Sequence, residues 1–257
     1  GKGNAAAARS GGPAQIRRGR IAATASDSGA VQTSGGGVES PGFVVDPYRG
    51  PIEAPSLADA LSSSKGFSYL RARFNQGVSS MWAIALCTRK GKTHGKDAFK
   101  AEASELFEQV SAASAGGEGA LHRVDALVTP TAMAALRSES RARRRAGWER
   151  MEWELAEKPA IELIQMRAHV LDRSLNRGVV QATMRVRSQQ LFSAYGAAPA
   201  PGERGVKVAG TAPGKPAAVV DWWVLEVPLA DGQNKWRLAA KIPAVPEGAV
   251  VKLEDVK

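Results

Sequence analysis

Val180-Gln181-Ala182-Thr183-Met184-Arg185-Val186-Arg187 decides the fold class. Successive side chains of a strand leave on opposite faces. Val180, Ala182, Met184 and Val186 therefore share one side, and Gln181, Thr183, Arg185 and Arg187 share the other. The same period of two runs outward from this stretch. Upstream, Met151, Trp153 and Leu155 alternate with Glu152 and Glu154, and Ile164, Met166, Ala168 and Val170 form the next face. Downstream, residues 218–227 and 236–242 follow. Asn176-Arg177-Gly178 and Asp231-Gly232-Gln233-Asn234 punctuate the runs as turns. Five strands of a meandering antiparallel sheet are expected after Gly147, with residues 197–216 as a Gly/Pro/Ala loop.

Before Gly147 the period is helical. Residues 74–88 place Phe74, Val78, Met81, Trp82, Ala85 and Leu86 on one apolar face, which predicts packing against a core or groove. After a break at residues 91–95, Asp97 is expected to cap a second helix whose inner side is Phe99, Ala103, Leu106, Phe107 and Val110. Ala115-Gly116-Gly117 ends it. A short helix at 121–127 follows, and Thr129-Pro130 opens another, as N-cap and first helical residue. Helices first and strands afterwards predict an α+β fold, with the helices packed on a twisted antiparallel sheet of four to five strands.

Residues 1–66 are poor in large apolar groups and rich in Gly, Ala, Ser and Pro, so they are expected to form an extended basic tail. A folded domain is expected over 67–245 and a short tail over 246–257. Arg9, Arg17, Arg18 and Arg20 precede the first acid, Asp27, which is organelle-targeting composition. Either the remnant of a transit segment or a mature basic tail fits it.

Lys and Arg number 35 against 25 Asp and Glu, a formal charge of +10 that favours a polyanionic partner, nucleic acid or an anionic membrane. Cys87 is the single cysteine, which excludes an intrachain disulfide and any site needing several thiolates. No apolar run approaches the ~20 residues that span a bilayer. His94, His122 and His169 are scattered, and no catalytic or metal-binding spacing appears. Lys90-Gly91-Lys92-Thr93-His94-Gly95-Lys96 lacks the glycine spacing and hydroxyl of a phosphate loop, and reads as an interhelix turn brushing phosphate. Glu152 and Glu154 are expected to meet solvent or neighbouring cations such as Arg185 and Arg187. No enzyme activity, metal or cofactor is expected.

The strongest chemical signal is Arg137-x-x-x-Arg141-x-Arg143-Arg144-Arg145. Arg137, Arg141, Arg144 and Arg145 share a broad helical face, and like charges so close destabilise an isolated helix. Glu139 is the one acid within the run. A guanidinium donates two parallel hydrogen bonds to phosphate, so phosphate-backbone contact is expected in place of base readout. A solvated face is the rival. Trp222 and Trp223 leave one strand on opposite faces. The helices cover one, and the other is a candidate partner surface.

Val179 through Gln190, then Val220-Asp221-Trp222-Trp223-Val224-Leu225-Glu226, then Trp236-Arg237-Leu238-Ala239-Ala240-Lys241-Ile242, resemble the closing strands of the family of mitochondrial large-subunit ribosomal protein forty-five, whose domain is shared with the import-motor subunit Tim-forty-four. Asp125-x-x-Val128-Thr129, Met133-x-x-Leu136 and Trp148 are similar to its helical half. The resemblance implies a cystatin-like, Tim-forty-four-like fold near the polypeptide exit of the mitochondrial ribosome, on the matrix side, facing the inner membrane and its insertion machinery. Ribosomal RNA and neighbouring mitochondrial ribosomal proteins would be the partners. Arg9, Arg17, Arg18 and Arg20 would follow RNA as an arm, and Arg137, Arg141, Arg143, Arg144 and Arg145 would anchor the domain to RNA or, alternatively, to anionic lipid. An import-motor anchor binding lipid and a chaperone is the rival from another class.

Overall fold

The alternating stretch at 180–187 lies inside a strand of 19 residues, Arg177–Tyr195, that every other part of the sheet except one strand touches. A computed structural model describes residues 40–56, 62–172, 177–198, 205–230, 232, 234–246 and 249–251. In chain order come α1 (Ser64–Arg89), α2 (Lys96–Ala115), a 3-10 helix (Leu121–Leu127) and α3 (Pro130–Arg145). The strands are β1 (Arg150–Leu155), β2 (Ala160–Asp172), β3 (Arg177–Tyr195), β4 (Lys207–Gly210), β5 (Ala217–Pro228) and β6 (Arg237–Ile242). The fold is α+β with an open antiparallel sheet.

The sheet is not a simple meander. β1 and β2 lie end to end along one edge of β3, opposite residues 190–195 and 177–187 respectively. β4 and β5 share its other edge, and β6 closes on β5. β4 is a sixth strand inside the stretch expected to be loop. Its four residues carry no alternating pattern, and pairing to the far end of β3 forms it. A bulge between Leu163 and Gln165 explains the second strand's pattern. Ile161 and Leu163 face the core before it, Met166, Ala168 and Val170 after it, and Ile164 drops out of the stripe. At the entry to β3, Gly178 has φ +153, and a Cβ there would lie 2.4 Å from the His169 carbonyl oxygen, so the turn requires glycine.

The core lies between the helices and one sheet face. Phe99, Ala103, Leu106, Phe107 and Val110 of α2 meet Val180, Ala182, Met184, Val186, Trp223 and Leu225. Phe107 and Trp223 rings lie 4.8 Å apart, and Phe99 meets Trp236 edge-on at 5.0 Å. The N-cap of α2 is Gly95, not Asp97, which falls in the first turn where its charge suits the helix dipole. Thr129 caps α3 through its hydroxyl, and its N–H donates to Leu238 O at 2.8 Å, aligning α3 over β6.

The second sheet face is covered by the chain itself, which corrects the boundary expected at residue 67. Residues 40–52 strap across it. Gln181 Nε2 donates to Phe43 O at 2.9 Å, Val45 N–H to Gln181 Oε1 at 2.7 Å, and Gln165 Nε2 to Asp46 O at 2.8 Å. Arg167 pairs with Asp46 at 2.6 Å, Phe43 meets the His169 ring, and Tyr48 stacks on Trp222 at 5.3 Å. Ile52 bridges Val251, so part of the expected C-terminal tail joins the fold as well.

α1 reverses expectation. The side turned inward carries Gln76, Ser80, Ala83 and Cys87: Met166 N–H donates to Ser80 Oγ at 3.4 Å, and Arg167 reaches Ser80 Oγ and Gln76 O. Ala83 and Cys87 are buried, and Phe74, Val78, Met81 and Trp82 are exposed. Truncating Phe107 to Ala is expected to cost about 3–5 kcal/mol, and truncating Phe74 to Ala to change stability by less than about 0.5 kcal/mol. Thermal or urea unfolding of the two variants checks this. A large loss at Phe74 would mean that the outer face of α1 is core.

Candidate nucleic-acid interface

α3 sorts its arginines by helical angle. Ala132, Met133 and Leu136 are its buried residues. Glu139 and Arg143 continue that inner side at steps of three and four. Arg143 therefore turns inward: it donates to Ser114 O at 3.2 Å, at the last turn of α2, and to the Glu139 carboxylate. Lys241 of β6 completes the set 3.7 Å from Glu139. Burial alone would raise the Glu139 pKa, but Lys241 and Arg143 outweigh it and hold the carboxyl below its ordinary value. The three groups tie α2, α3 and β6 together. Arg143, expected among the RNA contacts, is a structural clamp for this reason.

The other four point away from the core. Arg137 pairs with Asp125 at 3.8 Å, and Arg144 with Glu149 at 3.7 Å. Arg141 donates to Arg137 O at 3.3 Å and is exposed, as is Arg145. Among the described residues neither Arg141 nor Arg145 pairs with an acid. Charge relief is thus larger than Glu139 alone supplies, because Asp125 and Glu149 come in from flanking turns. Arg143, Arg144 and Arg145 also occupy the last turn, where cations suit the helix dipole.

A cleft of about 420 Å³ opens beside this end of the helix. Arg141, Arg143, Arg144 and Arg150 line it together with Trp148 and residues 114–119, and Glu118 and Glu149 line it as well. Trp148 packs on Phe192 at 5.7 Å. Arg150 pairs with Glu152 at 3.0 Å, and Tyr195 also donates to Glu152 at 3.0 Å. Glu154 is exposed and Glu152 takes a neighbouring cation, as expected, but that cation is Arg150, because Arg185 and Arg187 pair with Glu162.

The remaining expected sites fall elsewhere. Trp223 is 1% exposed and Trp222 5% exposed beneath Tyr48, so the partner surface expected there is occupied by the protein's own core and strap. Arg9, Arg17, Arg18 and Arg20 lie outside the described residues. Lys92 of the interhelix turn is buried, its ammonium donating to Ala230 O at 2.5 Å and Asn234 Oδ1 at 2.8 Å, so it faces a hairpin and not phosphate. Cys87 is buried, and desolvation pushes its thiol up to about 12. Glu226, wholly buried, accepts from Gln181 and Ser40 and pairs with Arg237 at 3.4 Å. No sequence signal set it apart from the wet residues of its strand. Among the described residues no group of three or more His, Cys, Asp or Glu comes together as a metal site.

No family model and no curated protein matches the sequence. Among solved structures, the intermembrane-space region of the chloroplast protein ARC6 aligns with a TM-score of 0.31 at 7% identity, over 58% of this chain and 99% of that one. A likeness of that size bears on neither function nor descent.

Replacing Arg143 with Ala leaves Glu139 short of a cation, and is expected to cost about 1–3 kcal/mol. Arg141→Ala and Arg145→Ala should each stay within about 0.5 kcal/mol. A carboxyl whose folded pKa lies below its unfolded value adds stability above the unfolded value and loses it as pH falls through the folded one. The deficit of Arg143→Ala should therefore be full near neutrality and shrink below about pH 4. Thermal melts across that range check it, and a deficit independent of pH would exclude the ion set as its cause.

Proposed function

We propose that this protein is a structural constituent of the mitochondrial large ribosomal subunit. It would contact ribosomal RNA near the polypeptide exit, beside neighbouring ribosomal proteins, and help set the ribosome toward the inner membrane from the matrix side. The observation that carries the reading is the outward face of α3. Arg137, Arg141, Arg144 and Arg145 crowd one side while Arg143 alone is committed to the fold. Arg141 and Arg145, exposed and without acid partners among the described residues, beside a cleft that Arg143, Arg144 and Arg150 also line, form a surface that phosphate oxygens complete. The basic arm containing Arg9, Arg17, Arg18 and Arg20 adds charge of the same sign. The resemblance of the strands to the ribosomal family supplies the identity of the RNA. No enzymatic role enters the reading.

An import-motor anchor, binding anionic lipid and a chaperone, is the second reading, favoured by the exposed apolar face of α1. RNase separates the two. The chain should co-sediment with the large subunit at moderate salt and leave it after RNase. The triple variant Arg141→Glu, Arg144→Glu, Arg145→Glu should stay folded and bind more weakly. Its RNA binding should also depend less on salt, by about 0.7–0.9 in log–log slope for each phosphate no longer neutralised. Association that ignores RNase and requires anionic lipid would overturn the ribosomal reading.

A further inference from the structure

Among the described residues, Trp148 is the one aromatic side chain that lines the arginine cleft. It is half-buried, with its ring against Phe192 at 5.7 Å. Backbone bonds hold it in place. Its own N–H donates to Arg143 O at 3.1 Å, and the next N–H, of Glu149, donates to Tyr195 O at 2.9 Å. Gly147, at φ +82, lets the chain reverse between α3 and β1 so that both bonds form. The indole is therefore a fixed platform at the end of α3, and a ligand that meets it pays little to order it.

The groups around the ring define that ligand. Arg141, Arg144 and Arg150 share the cleft with it, while Arg143 is committed to Ser114 and Glu139. Glu118 and Glu149 line it too. Glu149 pairs with Arg144, and Arg150 with Glu152, which leaves Arg141 without an acid partner among the described residues. Gly117 and Gly119 line the cleft without side chains, and a Cβ at either would meet open space. A cleft of about 420 Å³ has room for a small ligand and none for a duplex, whose bases stay stacked inside the helix. A flat ring with guanidiniums beside it fits a ligand that is an aromatic base at one end and a phosphate at the other. We infer that the cleft takes one unstacked nucleotide of single-stranded RNA, its base against the Trp148 indole and its phosphate on Arg141 and Arg144. This rests on the proposed function for the RNA and deepens it by naming the form, a loop, bulge or single strand. Stacking reads no base edge, so the site accepts any of the common bases.

The test is binding of the purified full chain to a short labelled single-stranded RNA of mixed sequence, and to the same strand annealed to its complement, with indole fluorescence followed in parallel. The single strand should quench part of the wild-type fluorescence, and inorganic phosphate should not. Trp148→Phe keeps a ring for the base and should bind within about twofold, but without that quenching. Trp148→Leu keeps an apolar side chain on Phe192 and removes the flat ring. It should bind the single strand on the order of tenfold more weakly and the duplex within about twofold. The phenylalanine variant keeps the test readable if leucine lowers the melting temperature. Unchanged single-strand affinity in Trp148→Leu, equal loss on single strand and duplex, or quenching that survives Trp148→Phe or is matched by phosphate would overturn the inference. RNase-sensitive co-sedimentation of wild type with the large subunit would leave the ribosomal reading standing in each of those cases. Trp148-dependent binding of single strands by a chain that never co-sediments with the large subunit would strike that reading and leave the cleft as inferred.

Discussion

Pairing along β3 is the constraint on which the rest of the molecule depends. Its 19 residues hold β1 and β2 on one edge and β4 and β5 on the other, so only β6 is attached indirectly. Each edge of such a strand supplies one ladder of backbone hydrogen bonds, and here each ladder is divided between two partners. The two faces are then committed by alternation. Val180, Ala182, Met184 and Val186 receive α2 and its aromatic rings, and Gln181 on the opposite face hydrogen-bonds the strap at both its oxygen and its nitrogen. A slip of one residue would exchange these faces and lose both the core and the strap.

Burial on both faces makes the polar side informative. Gln181, Gln165, Arg167 and Glu226 are all buried, and each is satisfied by the segment at 40–46 or by its neighbours. A buried polar group without a partner costs about 1–3 kcal/mol, so the strap is part of the domain and not an appendage. α1 follows from the same polar side. Ser80 and Gln76 meet Met166 and Arg167 along the free edge of β2, which directs the apolar side of the helix outward.

What the sequence made legible was periodicity, and what it withheld was orientation and long-range pairing. The alternation at 180–187 and the Thr129-Pro130 start are local, and both match the structure. The face of α1 was visible as a face, but periodicity does not say which side meets the core. The bulge at Ile164 moves the stripe of β2 by one residue, and β4 pairs with residues 193–195 of β3. The strap looks like tail in the sequence because its stability comes from hydrogen bonds to distant buried side chains. At the candidate site, the shared face of Arg137, Arg141, Arg144 and Arg145 followed from helical angle. The inward turn of Arg143 followed from Ser114 and Lys241, which sequence distance conceals.

The proposed role places the outer face of α3 against RNA phosphates. Ultraviolet cross-linking of intact mitochondrial large subunits, followed by mapping of the nucleotide-bearing peptides of this chain, tests that contact in place. The account predicts adducts concentrated in the peptides spanning residues 137–150. Adducts absent from that segment while other proteins of the same particle cross-link, or a chain found only outside the particle, would contradict it.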